Sequence, residues 1–189
     1  MCATGQNAPM ASDRNPHSNL GTWIRQLRDD SDAGDGPTPA ETAVGLDAEV
    51  EEGTLAFSRE HARRYVASDG GDDGWDGPRP IVLLYTTGRR TGKVRRNPLL
   101  CFEHAGERYV IGSLGGSPRH PVWYLNLVAE PRVHVRFLDE LYEAIARTVT
   151  PDERAALWPE LVARYPMFGD YQANTEREIP MVHLRRTAV

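Results

Sequence analysis

The chain has 189 residues, a mass of 21.1 kDa and a net charge of −5, room for one domain with its own core and little beyond it. Residues 1–53 hold Arg14, Arg25 and Arg28 against ten acids, a net −7 that leaves +2 for the rest, so the positive charge is local. Lys93 is the only lysine and Cys2 and Cys101 the only cysteines, which excludes a duplex-binding basic face, a disulfide framework and a CxxC metal site.

Residues 1–53 are rich in Asp, Gly, Pro, Ser and Ala and bring too little apolar surface to offset ordering entropy, so the expectation is an acidic, largely flexible extension. Within it, "NLGTWIRQLRDD" spaces Leu20, Trp23, Ile24 and Leu27 as one apolar helical stripe, able to dock on the body, a partner subunit or a membrane surface. The opening "MCATGQNAPM" lacks a basic region followed by an apolar run, and no apolar stretch approaches a membrane span, so the expected location is cytoplasmic, with peripheral membrane association through that stripe the alternative.

Residues 54–80 read as a helix from Leu55 to Ala67 followed by the linker "SDGGDDGWDGPRP", whose prolines force a new element near Ile81. From there to residue 189 the pattern is that of strands: "PIVLLYTT", the turn "GRRTGK", "VRRNPLLCF", the turn "EHAGE", then "RYVIGS". The loop "LGGSPRHP" leads to a short helix, "VWYLNLVAE", and "RVHVRF", "LDE" and "LYEAIARTV" form another hairpin. Thr150-Pro151-Asp152-Glu153 is a capping box with proline at the first helical position, opening a helix whose expected apolar face is Trp158, Leu161, Val162 and Tyr165. After "YPMFGDYQANTERE" a last strand, "IPMVHLRR", ends the pattern. Antiparallel hairpins with two interposed helices predict a mainly β (α+β) fold closed into a small barrel, which protects strand edges.

Most catalytic signatures are missing. "GRRTGK" fails as a P-loop because three residues separate its glycines, Val94 follows the lysine and a strand comes next. GxSxG and HExxH are absent, and the six histidines have no partners at metal spacing, so no metal is expected. Chemistry must then come from a cofactor, with the protein supplying binding, orientation and electrostatics.

Two segments suit an anionic cofactor. In "TTGRRTGKVRRNP", Arg89, Arg90, Thr91, Lys93 and Arg95 offer guanidinium forks and a Gly-bounded turn to phosphates or carboxylates, and strand alternation separates Arg95 from Arg96. In "GSLGGSPRHPVWYLN", Ser113, Gly115 and Gly116 end a strand just before an electropositive helix N-terminus, and Trp123, Tyr124 and Asn126 follow on that helix.

The order "LLYTTGRRTGKVRRNPLL", "YVIGSLGGSPRHPVWYLNLVAEPRVHV", "RYPMFGDYQANTEREIPMVHL" closely resembles the deazaflavin-dependent nitroreductase family, a branch of the flavin and deazaflavin oxidoreductases. The resemblance covers Ile81 to Leu184 and implies an FMN-binding-split-barrel-like fold and the deazaflavin coenzyme F420, a hydride carrier with a phosphate and an oligoglutamate tail. It implies that Arg89, Arg90, Thr91, Lys93, Arg95, Asn97 and Pro98 line the coenzyme channel, and that Ser113, Leu114, Gly115, Gly116, Trp123 and Asn126 lie around its ring and phosphate. Tyr165, Phe168 and Tyr171 match an aromatic cluster over the substrate. Leu114, Leu100 and Phe168 stand where related sequences often carry polar side chains, which implies a more apolar pocket.

The expected function is hydride transfer from reduced F420 to a conjugated small molecule: a quinone, an enone, a nitro compound or a biosynthetic intermediate. Its alternatives are an FMN-dependent split-barrel reductase, or a non-catalytic split barrel that binds a cofactor or lipid. The oligomeric state, monomer or homodimer, stays open.

Overall fold

A computed structural model describes residues 50–52, 56–71 and 79–187. The amphipathic stripe at Leu20 to Leu27, nearly all of the extension and residues 72–78 of the linker lie outside the described residues.

Helix α1 (Ala56–Ala67) is followed by strands β2 (Ile81–Thr87), β3 (Val94–His104) and β4 (Glu107–Ile111), with a two-residue strand β1 (Glu51–Glu52) before α1. A 3₁₀ turn at Leu114–Gly116 precedes α2 (Val122–Ala129), then come β5 (Arg132–Phe137), β6 (Glu140–Thr148), α3 (Pro151–Arg164), α4 (Met167–Ala173) and β7 (Met181–Arg186).

The strands run in the order β3-β2-β5-β6-β7-β4, and β4 pairs back onto β3, so six antiparallel strands close into the expected split barrel. Closure depends on the length of β3. Its first half pairs with β2 from Thr87↔Val94 to Ile81↔Leu100, its second half pairs with β4 from Cys101↔Val110 to His104↔Glu107, and β1 runs parallel beside Arg95 and Arg96. Pro98, which has no N–H to donate, falls between the β1 and β4 pairings. The hairpin "EHAGE" turns through Ala105 and Gly106, with φ of 51° and 81°, the mirror-image turn that suits twisted antiparallel strands.

Strand alternation divides the apolar residues into layers. Val82, Leu84, Cys101, Val110, Val133, Val135, Ala144, Ala146, Val182 and Leu184 fill the barrel, with Trp123 and Leu127 of α2 packed on the same cluster. On the outside, Ile81, Leu83 and Tyr85 meet Ala62 and Tyr65 of α1. The Tyr65 hydroxyl donates to Ile81 O at 2.8 Å and accepts from Leu138 N at 2.8 Å, fastening α1 to β2 and to the β5–β6 turn at once. Phe102, Tyr109, Ile111 and Met181 meet Leu157, Leu161 and Phe168 of α3 and α4.

Helix α3 begins at the expected capping box: Glu153 N donates to Thr150 Oγ1 at 3.3 Å and Thr150 N donates to Glu153 Oε2 at 2.7 Å. Arg147 forks onto both oxygens of the same carboxylate at 2.7 Å, and these donors pull the Glu153 carboxyl down to about 2. Thr150→Ala is expected to cost about 1 kcal/mol, read as a fall of about 2–4 °C in Tm for a domain of this size. An unchanged Tm would show that the Arg147 pair holds the helix start alone.

Two expectations are corrected here. The buried face of α3 is Leu157 and Leu161, whereas Trp158 is half-buried with the Arg154 guanidinium 3.8 Å above its ring and Tyr165 stands at the C-cap. Among the described residues there are also three helices between the barrel strands rather than two, because "MFGDYQA" is α4. It is two turns long, starts after Pro166 and contains Gly169, so it has no readable period and owes its form to packing of Phe168 and Met167 on the barrel wall.

Candidate functional site

The cationic turn is built from backbone hydrogen bonds. Gly88 N donates to Lys93 O at 2.7 Å, Gly92 N and Thr91 N donate to Gly88 O at 2.7 and 3.1 Å, and Lys93 N donates to Thr91 Oγ1 at 3.2 Å. Thr91 is therefore buried inside the turn as its clamp, while Arg89 and Arg90 are exposed. Arg95 and Arg96 separate as alternation requires. Arg95 pairs with Thr86 on the face that continues into Asn97, Leu99 and Cys101, and Arg96 pairs with Tyr85 on the outer face beneath α1.

Asn126 joins this turn to α2. Its side chain is 2% exposed; Oδ1 accepts from Arg89 N at 3.2 Å and from Arg89 Nη1 at 3.4 Å, and Nδ2 donates to Thr86 Oγ1 at 3.4 Å. Asn126 thus aims Arg89. Trp123, expected beside a cofactor ring, is 7% exposed and packs in the barrel cluster.

The second segment is a strained loop. Ser113 has φ −72° and ψ −41°, and Leu114, Gly115 and Gly116 follow with φ of 44°, 60° and 78°. A right-handed residue followed by left-handed ones turns successive N–H groups into one concavity, a backbone nest for an anion. Gly116 closes against α4: a Cβ there would lie 2.8 Å from Tyr171 O and 3.2 Å from Tyr171 Cα. That contact brings the loop and the aromatic segment to one edge of the barrel, next to the helix that holds the cationic turn.

The aromatic residues occupy different depths. Phe168 is 4% exposed within the outer core, with Tyr165 and Tyr171 edge-on to it at centroid distances of 6.4 and 5.9 Å. The two tyrosines are half-buried and reach a ligand more readily than Phe168 does. Burial, reinforced by Asp170, pushes the Tyr171 hydroxyl up to about 12, and burial raises that of Tyr165, so both are neutral donors at physiological pH.

Arg177, Gln172 and His120 carry no signal in the sequence, yet all three converge here. Arg177 donates to the carbonyls of Gly112, Ser113 and Ser117 and lies 3.3 Å from His120 Nδ1. Burial and the Arg177 charge lower the His120 pKa. A histidine depressed in the folded state contributes stability that is present above its unfolded value of roughly 6.5 and is lost as pH falls through the lowered folded value. An NMR titration of the His120 ring is expected to show a midpoint below that of a free histidine, rising in Arg177→Gln; an unshifted midpoint would contradict the contact.

The exposed guanidinium groups of Arg89 and Arg90 and the left-handed run from Leu114 suit an anion. Residues 57–186 match the family model described as F420H(2)-dependent quinone reductase. A putative F420H(2)-dependent quinone reductase of Mycobacterium tuberculosis is 36% identical over 112 residues, covering 59% of this chain and 94% of that protein. An F420H(2)-dependent quinone reductase of the same organism is 35% identical over 114 residues, covering 58% and 76%. Among solved structures, an F420-H2 dependent reductase is 40% identical with a TM-score of 0.52, covering 57% of this chain and 95% of that one. Another, described as a domain-swapped dimer, is 38% identical with a TM-score of 0.54, covering 67% and 96%. The family match takes in α1, the whole barrel and every segment of the site, and on that extent the chain belongs to the F420H(2)-dependent quinone reductase family.

Proposed function

We propose that the chain transfers a hydride from reduced coenzyme F420 to a quinone, with the coenzyme held by the cationic turn and the Ser113–Gly116 loop and the acceptor under α4. The observation that supports this reading is a chain of two ties, Asn126 holding the turn to α2 and Gly116 seating the loop that precedes α2 against α4. The donor set fits the group. Arg89, Arg90 and Lys93 suit an anionic tail, and the left-handed run from Leu114 suits a phosphate.

When bound, the reduced coenzyme supplies the hydride. The chain's own part is to hold donor and acceptor face to face at near-attack distance and to exclude water. Hydride addition to a quinone leaves negative charge on an oxygen, which a neutral phenol stabilises by hydrogen bonding before solvent delivers the one proton that completes the hydroquinone. We assign this role to Tyr171 and Tyr165, whose half-buried phenols stay neutral. Leu100, Leu114 and Phe168 bring no polar group, which favours an apolar quinone ring over a nitro compound.

The test is titration of the purified full chain with F420 and with FMN, followed by turnover of reduced F420 with quinones, nitroaromatics and enones. F420 binding with quinone reduction is expected; tight FMN binding with a yellow protein would replace this reading by the flavin alternative, and binding with no turnover by the carrier alternative. The solved relative described as a domain-swapped dimer supports pairing with a second copy, which sedimentation equilibrium decides. No described helix is long and apolar enough to cross a membrane, and liposome sedimentation with and without residues 1–53 tests association through the extension.

A further inference from the structure

Arg177 lies between α4 and β7, in a polar stretch that no local pattern marks, and reaches partners 57 to 65 positions earlier. Its Nη2 donates to Gly112 O at 3.0 Å and Ser113 O at 2.8 Å, and its Nε donates to Ser117 O at 2.8 Å. Nη1 faces His120. One planar cation therefore gathers the carbonyls at both ends of the Ser113–Gly116 loop onto one side. Leu114 is left-handed at φ 44°, a conformation that L side chains resist, and the loop's own bonds, Gly116 N to Ser113 O and Ser117 N to Leu114 O at 3.0 Å, gain from a further hold outside it. The Arg177 guanidinium is placed to provide it.

Arg177 is itself held from α4. Gln172 Oε1 accepts from Ile179 N at 2.9 Å and from Arg154 Nη2 at 3.0 Å, and Gln172 Nε2 donates to Arg177 O at 2.9 Å and Thr175 O at 3.4 Å. The residue before Gln172 is Tyr171, whose carbonyl abuts Gly116. The loop and α4 are thus fastened twice, through Gly116 and through the Gln172–Arg177 bracket.

We propose that Arg177, braced by Gln172, is a positioning residue for the hydride transfer: it keeps the loop amides converged toward the coenzyme and sets that loop against the helix carrying Tyr171. Its donors face backbone carbonyls and His120, so it acts through the loop and not on the reacting atoms. This rests on the coenzyme reading above. A lysine keeps the charge but has no fork to span three carbonyls.

The test compares wild type, Arg177→Lys and, as a second variant that leaves the arginine in place, Gln172→Met. Three quantities are read: the F420 dissociation constant, kcat and KM with reduced F420 and menadione, and amide hydrogen exchange of the coenzyme-free protein. Arg177→Lys is expected to weaken F420 binding by about tenfold and to lower kcat. Amide exchange is expected to speed up across residues 112–117 while β2 and β5 stay protected; Gln172→Met follows the same pattern more weakly. Wild-type F420 affinity and wild-type loop exchange in Arg177→Lys overturn the inference. Faster exchange throughout the barrel with kcat unchanged at saturating coenzyme also overturns it, since Arg177 is then only a structural tie. Failure of the wild type to bind F420 overturns the coenzyme reading and this inference together, and is distinguishable because the first two outcomes require a coenzyme-binding wild type.

Discussion

Replacing Arg89 and Arg95 together by alanine is expected to weaken F420 binding by about 100-fold, two charge-assisted contacts at roughly 1.5 kcal/mol or more each. Alanine at Arg89 removes the guanidinium and its Nη1 contact with Asn126 Oδ1, but the backbone amide still donates to Asn126 Oδ1 and the turn keeps that anchor. Arg95 is 9% exposed, so its truncation also removes packing, and Tm is measured alongside affinity. The gap between wild type and variant is expected to narrow as salt rises, since dissolved ions screen the attraction between a guanidinium and an anionic tail. Unchanged affinity in the double variant would move the coenzyme away from the cationic turn and leave the nest as the only anion site.

Gly116→Ala is expected to be the most damaging single-methyl change in the site. The residue sits at φ +78° and a Cβ would lie 2.8 Å from the Tyr171 carbonyl, so the variant bears both a left-handed strain of roughly 1–2 kcal/mol and a backbone clash. Relief of the clash requires α4 to move away from the loop. The expected result is a loss of about 2 kcal/mol or more of stability together with a raised KM for the quinone. Gly106→Ala is the control: its φ is +81° with nothing within 4 Å of a Cβ, so it carries the strain without the clash. Matching losses in the two variants would show that the Gly116–Tyr171 contact contributes nothing.

The locally encoded features were legible in the sequence. The strands read as short alternating or, for β2, continuous apolar runs, the turns before and after β3 carry glycine, and the capping box spans four positions, so β2 to β7, α2 and the start of α3 follow from short-range pattern. The cationic turn and the glycine-rich loop stood out for the same reason: a run of arginines between glycines and a Gly-Gly pair after a strand are properties of a few consecutive residues.

The depth and purpose of individual side chains were not legible. Phe168, Tyr165 and Tyr171 look alike as aromatic residues three apart, but only the packing of α4 on the barrel wall decides that Phe168 enters the core while the tyrosines stay half-buried. Asn126 shows a polar position on a helix, and the tertiary structure turns it into the hinge pin of a turn 37 residues away. Arg177 and Gln172 gain their meaning from partners in other elements. The sequence by itself therefore determined the barrel, its hairpins and the charge and backbone freedom of the turn and loop, because those depend on backbone periodicity and residue type at short range. Only the tertiary structure decided that the turn is tied to α2 and the loop to α4 and Arg177, because those contacts join residues tens of positions apart and depend on the packing of helices on the closed barrel to bring them together.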